Sequence, residues 1–294
     1  MIIDIHAHTS NHPMWNLHTE SATIEELERL AAKHGIGKIV LMATYFPLKR
    51  SGLANRELLK RIEGKPLFQM FGSLDAANNL EQGIAELNEL ARLGQIAGIK
   101  LYPGYQNFDP SSPAVFPIYE LAGQLNLPVM FHGGELHGCC PREQRDTGQL
   151  RCGFDYCRLL DLEHLARPRQ MAGAFWQFPK VKFVVSHLAN DYFEELRSVM
   201  SEFSNVFTDI SGQFVSGSHE DTPHYRKLIV AEIQRFLALK NGHRRVMFGT
   251  DFPIQSYADS LDLVYSLGLN RETEDAILFR NAEFLLDRST EDNQ

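Results

Sequence analysis

The alternation of apolar runs with amphipathic segments, repeated eight times, constrains the fold of this chain more than any other feature. Lys38–Ala43 is a continuous apolar run, typical of a strand that is buried on both faces of a parallel sheet. The segment before it predicts a helix, because Thr23 opens a capping box and Gly35 provides a stop. Strands that alternate with helices form parallel crossovers, and eight such units give a (β/α)₈ barrel. We therefore predict one α/β domain over residues 1–294, a TIM barrel.

An open doubly wound sheet is the alternative arrangement of such units. No Gly-rich dinucleotide fingerprint or phosphate loop follows the first predicted strand, which disfavours this alternative. The predicted strands are Ile2–His8, Lys38–Ala43, Phe68–Leu74, Ala97–Leu101, Pro128–His132, Val181–His187, Asn205–Ile210 and Arg245–Asp251.

The longest interval lies between the fifth and sixth strands, and it predicts an insertion loop over residues 133–161, before a helix around Glu163–Phe178. Long loops at the carboxyl face of a barrel usually shape the substrate site. The loop holds all four cysteines, which are Cys139, Cys140, Cys152 and Cys157. Because they include no Cys-x-x-Cys pair, we interpret them as loop thiols, with a structural metal site as the alternative.

The composition is that of an ordinary globular protein, with 44% hydrophobic and 22% charged residues. The net charge of −8 and the absence of a dense Lys/Arg stripe argue against a nucleic-acid or membrane surface. No apolar run has the length of a membrane span, and no signal peptide is recognisable. We expect a cytoplasmic protein with a small-molecule substrate; the sequence leaves its oligomeric state open, a homodimer being one option.

The first predicted strand ends in Asp4-Ile-His6-Ala-His8. Side chains of a strand alternate between its faces, so the pattern places Asp4, His6 and His8 on one side. Two imidazoles on a rigid element suit a divalent metal ion, since neutral imidazole is a common metal ligand. Such a pair also occurs by chance, so the prediction needs further ligands.

Further candidates end other predicted strands: Lys100 the fourth, His132 the fifth, His187 the sixth and Asp251 the eighth. The carboxyl ends of barrel strands form one ring at the mouth, where active sites of this fold lie. Histidines and a carboxylate that converge there are the donors from which a catalytic metal site with an open position is built. The sequence therefore predicts a metal site at the barrel mouth.

Five motifs occur in a characteristic order: Asp4-Ile-His6-Ala-His8, Gly98-Ile-Lys100-Leu-Tyr-Pro103, Pro128-Val-Met-Phe-His132-Gly, Val185-Ser-His187 and Gly249-Thr-Asp251-Phe-Pro. This set resembles the amidohydrolase superfamily, and within it the branch of aminocarboxymuconate semialdehyde decarboxylase, related hydratases and pyrone-dicarboxylate lactonases. The closing segment Ile277–Leu286 is similar to the last helix of that branch. The resemblance covers nearly the whole chain and is specific for the superfamily rather than for a substrate.

The resemblance implies that His6, His8, His132 and Asp251 hold a divalent metal, with zinc as the expected ion. It also implies that His187 is either a proton shuttle or a hydrogen-bond partner of the metal-bound water. In binuclear members of the superfamily a lysine on the fourth strand is carboxylated and bridges two metals, whereas one metal is usual in the branch resembled here. We therefore expect one metal and an uncarboxylated Lys100 that contacts a carboxylate, with two metals as the alternative.

Four residues are predicted to line the substrate pocket because their loops lie at the mouth: Trp15, Tyr102, Arg142 and Arg145. The two arginines lie in the insertion and are suited to bind a carboxylate bidentately, although a solvated charged loop is an equally good interpretation.

These observations predict a metal-dependent hydrolase that opens a small-molecule amide, lactone or ester through a metal-bound hydroxide, with Asp251 and His187 moving the proton. The alternative is a lyase on the same site, either a non-oxidative decarboxylase or a hydratase of an aromatic or muconate-like acid. A non-catalytic metal-binding barrel is a third interpretation, which an open coordination position disfavours.

Overall fold

The structure is a computed structural model that describes residues 1–10, 17, 19, 21–45, 52–137, 144, 146–148 and 157–289. Its eight strands are parallel, and each pairs with the next along the chain from β1 to β8. The strands are β1 Ile2–Ala7, β2 Ile36–Met42, β3 Phe68–Gly72, β4 Gly98–Leu101, β5 Val129–Phe131, β6 Phe183–Val185, β7 Val206–Asp209 and β8 Val246–Met247. This arrangement is a nearly closed TIM barrel, so the predicted fold is confirmed.

Helices follow the strands around the outside of the barrel. In the described ranges the α-helices are α1 Ile24–His34, α2 Asn55–Ile62, α3 Leu80–Arg92, α4 Phe116–Gln124, α5 Leu159–Leu162, α6 Ala172–Gln177, α7 Phe193–Glu202, α8 Pro223–Leu237, α9 Tyr257–Tyr265, α10 Arg271–Asp275 and α11 Asn281–Leu286. The predicted caps of α1 are present, because the Thr23 side chain accepts from the Glu26 amide and Gly35 is left-handed with φ 70°. Among these residues, no helix is both long and apolar enough to cross a membrane.

The interior of the barrel is filled by side chains from the strands, and α11 closes its lower end. This inner cluster consists of Ile3, Ile5, Val40, Met42, Phe71, Met130, Val184, Phe207, Met247, Ala282 and Leu285. A larger cluster packs the outer faces of the strands against the helices. Since both faces of each strand are buried, the strands appear in the sequence as apolar runs.

The alternation of side chains along β1 changes phase. Ile3 and Ile5 belong to the inner cluster, but Ala7 belongs to the outer one. The pairing of β1 with β2 has a register shift between Asp4 and Ala7, which explains the change. The expectation that Asp4 lies on the same side of β1 as His6 and His8 is therefore wrong: the Asp4 carboxylate binds the backbone of His6 and Thr250, which follows β8.

The predicted helix around Glu163–Phe178 is not continuous. Two 3₁₀ turns, Glu163–Ala166 and Pro168–Met171, precede α6. Pro168 explains the break, since it lacks an amide hydrogen and restricts the residue before it. Much of the predicted insertion over 133–161 lies outside the described residues, so its extent stays a prediction.

Candidate metal centre

The ends of β1 and β8 bring two histidines and a carboxylate together. Nε2 of His8 lies 3.1 Å from Oδ1 of Asp251, and Nε2 of His6 lies 3.6 Å from the same oxygen. One donor atom from each residue fits within 4.8 Å of the others. Ligand atoms at about 2.1 Å from a tetrahedral ion are roughly 3.4 Å apart, so this spacing suits a single divalent ion.

A second group shares His6 and adds two residues, His187 and Asp209. Nδ1 of His6 lies 3.3 Å from Oδ2 of Asp209, which ends β7 and is fully buried. Sequence reasoning missed Asp209. The rule that found the other residues would have found this one, since it too is a polar side chain at the carboxyl end of a strand.

His187 has an unusual backbone conformation immediately after β6. Its φ is 63°, and Leu188 and Ala189 follow with φ of 53° and 52°. Nδ1 of His187 lies 3.1 Å from the Ser211 carbonyl oxygen, which can only accept, so Nδ1 carries the proton. Nε2 is then the basic nitrogen. The His187 ring lies 4.8 Å from the His6 ring, centroid to centroid.

His132 lies beside this centre but belongs to neither donor group. Its ring centroid is 5.1 Å from that of His187, and its Nε2 donates to the carbonyl oxygen of Glu135 at 3.1 Å. In this tautomer Nδ1 is the nitrogen that remains for a metal. The predicted role of His132 as a ligand stays a prediction.

Lys100 is fully buried at the end of β4. Its Nζ donates to Oγ of Ser186 at 2.8 Å, and that hydroxyl donates to the Phe131 carbonyl oxygen at 2.8 Å. Nζ also lies 3.5 Å from Nε2 of His6, so a positive charge adjoins a predicted metal ligand. Burial lowers the pKa of Lys100 to about 8.

The remaining predicted site residues are placed as follows. Tyr102 is 2% exposed, donates its hydroxyl to the Ala43 carbonyl oxygen at 2.8 Å, and faces Nζ of Lys100 across 5.3 Å. Tyr102 thus packs beside Lys100, and its predicted place in the substrate pocket stays a prediction. Cys157 is a free thiol. The following predicted residues lie outside the described part of the chain: Trp15, Arg142, Arg145, Cys139, Cys140 and Cys152.

The electrostatics of the centre favour a neutral His6 and an ionised Asp251. Burial, with the nearby Lys100 charge, lowers the pKa of His6 to about 3. Burial alone would raise the pKa of Asp251, but its hydrogen bond with His8 and its attraction to the neighbouring imidazoles hold that pKa below its ordinary value. Neutral imidazole and ionised carboxylate are the forms that bind a metal, so the donors fit a divalent cation.

Asp4 belongs to neither donor group, but its carboxylate binds the backbone beside the centre. Its Oδ1 accepts from the amides of His6 and Thr250, each at 3.1 Å, and its Oδ2 accepts from the Thr250 hydroxyl at 2.7 Å. These bonds join β1 to the segment that carries Asp251. Burial raises the pKa of Asp4 to about 7, although its hydrogen bonds oppose the shift.

We expect Asp4→Asn to change how stability depends on pH. The pKa of Asp4 rises from 3.8 in the unfolded chain to about 7 in the folded one, so the wild type loses stability between these pH values. Asparagine mimics the protonated acid and has no such loss. The unfolding free energy of wild type minus that of the variant should fall from pH 4 to 7, by on the order of 4 kcal/mol at most. Urea titrations of both metal-free proteins measure it; a constant difference would show that folding does not raise the pKa of Asp4.

The fold and the site together define the class: a TIM barrel with a histidine and aspartate centre at the carboxyl ends of its strands. The chain belongs to the amidohydrolase family, whose sequence model matches residues 3–288. It is thus an enzyme of the amidohydrolase superfamily, and the suspected resemblance is confirmed. A comparison with curated proteins finds no match.

Solved structures share the fold over nearly their whole length. An uncharacterized TIM-barrel protein from Bordetella bronchiseptica is 18% identical, with a TM-score of 0.72 and 98% of each chain covered. A probable 2-pyrone-4,6-dicarboxylic acid hydrolase from Acinetobacter baumannii, with citric acid bound, is 16% identical, with a TM-score of 0.67, 97% of this chain and 98% of that chain covered. A dihydroxybenzoic acid decarboxylase from Polaromonas, with manganese and 2-nitroresorcinol bound, is 15% identical, with a TM-score of 0.62, 91% of this chain and 86% of that chain covered.

Proposed function

We propose that this protein is a metal-dependent hydrolase that acts on an amide, lactone or ester bond of a small carboxylic acid. The observation that carries the proposal is the convergence of His6, His8 and Asp251 at the barrel mouth, with His187 beside them. The structural relatives with assigned names are a probable hydrolase and a decarboxylase of carboxylic acids, which supports this substrate class.

In the proposed mechanism His6, His8 and Asp251 hold the cation, with His132 as a further candidate ligand. A divalent cation, when bound, polarises a carbonyl group and lowers the pKa of water from 15.7 toward about 7. His187 acts as the proton carrier, because its Nδ1–H is held by Ser211, which leaves the lone pair on Nε2. Zinc is the ion we propose, and manganese in the Polaromonas relative makes it the second ion to test.

A lyase is the second candidate function, and Lys100 is the residue that favours it. A buried ammonium 3.5 Å from His6 provides positive charge next to the centre, where it would stabilise a substrate carboxylate. Such a charge would bind and orient the carboxylate, while the carbon that loses CO₂ takes up a proton, which His187 is placed to supply. The decarboxylase among the structural relatives supports the same alternative.

One substrate screen distinguishes the two reactions. The purified protein, loaded with zinc or with manganese, is incubated with lactones and amides of dicarboxylic acids and with hydroxylated benzoic acids. A hydrolase gives products whose masses add up to the substrate plus one water, as a single product from a lactone and as two from an open-chain amide. A decarboxylase gives a product lighter by CO₂, and mass spectrometry detects both. His8→Ala, which removes a donor of the centre, serves as the inactive control. Turnover that persists without metal and in this variant would contradict the proposal.

Lys100→Met tests the number of metals. An ammonium this close to His6 repels a divalent cation, so we expect the variant to bind one metal per chain at least about tenfold more tightly than wild type. A carboxylated, bridging lysine predicts the opposite: two metals in wild type, and weaker binding of fewer in the variant. Chelator competition, with elemental analysis at pH 6.5, measures both quantities. A fall in stoichiometry from two to one would overturn the one-metal assignment.

A further inference from the structure

We propose that Asp209 is the positioning residue of the metal centre: it fixes one tautomer of His6 and holds the backbone of His187. The inference rests on the proposed metal site. Asp209 ends β7, is fully buried, and divides its two carboxylate oxygens between β1 and the segment after β6.

One oxygen of Asp209 acts on His6. Oδ2 lies 3.3 Å from Nδ1 of His6, and because an ionised carboxylate only accepts, Nδ1 must carry the proton. The other ring nitrogen, Nε2, then presents its lone pair to the Asp251 side of the ring. A carboxylate behind a metal-binding imidazole orients the ring and makes it a stronger ligand.

The other oxygen acts on His187. Oδ1 accepts from the amide of His187 at 3.0 Å, from the amide of Ser211 at 3.1 Å, and from the hydroxyl of Ser211. His187 has φ 63°, a conformation that side chains other than glycine adopt only when their surroundings enforce it. The side-chain amide of Gln213 adds a second restraint, because its Nε2 donates to the His187 carbonyl oxygen at 2.9 Å. Asp209 therefore couples the position of the proton carrier to that of a metal ligand.

The hydrogen bonds favour positioning over direct coordination by Asp209. A metal on Oδ2 of Asp209 and Nδ1 of His6 would require the His6 proton to leave. Oδ1 of Asp209 already accepts from three donors, so it is not available to the metal as a second oxygen. Nδ1 of His187 is engaged by Ser211 as well. The His6, His8 and Asp251 group uses Nε2 of His6 and leaves the Nδ1 proton in place; the neighbour of Nε2 is Nζ of Lys100 at 3.5 Å, whose effect the Lys100→Met variant measures.

Asp209→Asn is the decisive variant, because an amide has an accepting oxygen on one side only. If the oxygen faces His6, the NH₂ group opposes the amides of His187 and Ser211; if it is turned, it opposes Nδ1–H of His6. We expect metal affinity to fall about 10- to 100-fold with an unchanged number of metals per chain. We also expect the proton on Nδ1 of His6 to disappear from ¹⁵N-histidine NMR spectra of the metal-free protein, or to be shared with Nε2.

Two further variants separate positioning from loss of stability. Thr208→Val removes a buried hydroxyl of the preceding residue, which donates to the Val185 carbonyl oxygen at 2.7 Å, so it should lower the Tm but leave metal affinity and the His6 tautomer unchanged. Ser211→Ala removes the hydroxyl that donates to Asp209 and that also lies 3.2 Å from Nδ1 of His6 and 2.9 Å from Nδ1 of His187. It should weaken metal binding a few-fold but leave the proton on Nδ1 of His6, because Oδ2 of Asp209 still accepts it. Loss of that proton would assign the tautomer to Ser211, so this variant carries the test if Asp209→Asn does not fold.

Each outcome decides the inference. Unchanged affinity and an unchanged His6 tautomer in Asp209→Asn would overturn it, as would loss of the Nδ1 proton of His6 in Ser211→Ala. So would a loss of metal stoichiometry in Asp209→Asn, since Asp209 would then be a ligand. If the wild type binds no metal, the proposed function fails, but the NMR comparison of the metal-free proteins still decides whether Asp209 sets the tautomer.

Discussion

Replacing Asp251 by asparagine is expected to lower kcat/KM by at least about 10³-fold while the fold is retained. The Oδ1 atom of Asp251 lies within 3.6 Å of both His6 and His8, so the variant loses the single negative charge that joins the two imidazoles. Asparagine suits the backbone, because Asp251 has φ 53° and asparagine tolerates this region. Initial rates with the best substrate of the screen, together with circular dichroism, measure the effect.

Asp262→Asn is the matched control for this substitution. Asp262 is exposed and lies 3.6 Å from Arg226, so its variant should keep both the rate and the Tm. An Asp251→Asn enzyme with near wild-type turnover would remove Asp251 from the mechanism, and with it the proposed metal chemistry.

His187→Asn is expected to lower kcat about 10²- to 10⁴-fold without changing the number of bound metals. The asparagine amide replaces Nδ1–H in donating to the Ser211 carbonyl oxygen, and asparagine tolerates the left-handed backbone at this position. What the variant lacks is the basic Nε2. In the variant, kcat should therefore no longer fall at acidic pH through protonation of this imidazole. Stopped-time assays between pH 5 and 9, with elemental analysis of the same samples, measure both effects.

His224→Asn provides the control for the loss of an imidazole, because His224 is an exposed residue in the first turn of α8. It should leave kcat and metal content unchanged. A His187→Asn enzyme that loses its metal would make His187 a ligand, and one with an unchanged kcat would assign the proton transfer to another group.

The fold was predictable because each barrel strand is buried on both faces, which leaves apolar runs such as Lys38–Ala43 in the sequence. Helix α1 was predictable because the residues that cap its two ends, Thr23 and Gly35, are recognisable in the sequence. The helix after the insertion was predicted as one piece because the apolar pattern continues across Pro168, whose effect on the backbone outweighs that pattern.

The site was predictable only where residues end a strand in a recognisable pattern. His6, His8 and Asp251 meet as the strand-end rule requires. Asp209 also ends a strand, but no motif or characteristic spacing surrounds it in the sequence. Only the structure shows that its carboxylate contacts Nδ1 of His6, which lies on a different strand. The position of Asp4 was mistaken because a register shift in β1 changes the alternation that a strand pattern assumes.

The reaction type was not predictable from strands and helices, for a physical reason. The same histidines and carboxylate serve hydrolysis and decarboxylation, and the choice depends on loop residues that contact the substrate. Lys100 illustrates the difficulty: its type and position were evident, but only the structure shows that Ser186 and Tyr102 enclose it beside His6.

Metal content per chain is the measurement that tests the central claim most directly. The wild type and Asp251→Asn are loaded with zinc, passed through a desalting column and analysed by elemental mass spectrometry. We predict one equivalent in the wild type and less than about a tenth of an equivalent in the variant at the same free zinc concentration. Equal metal content in the two proteins would place the metal elsewhere and contradict the assignment of His6, His8 and Asp251 as its site.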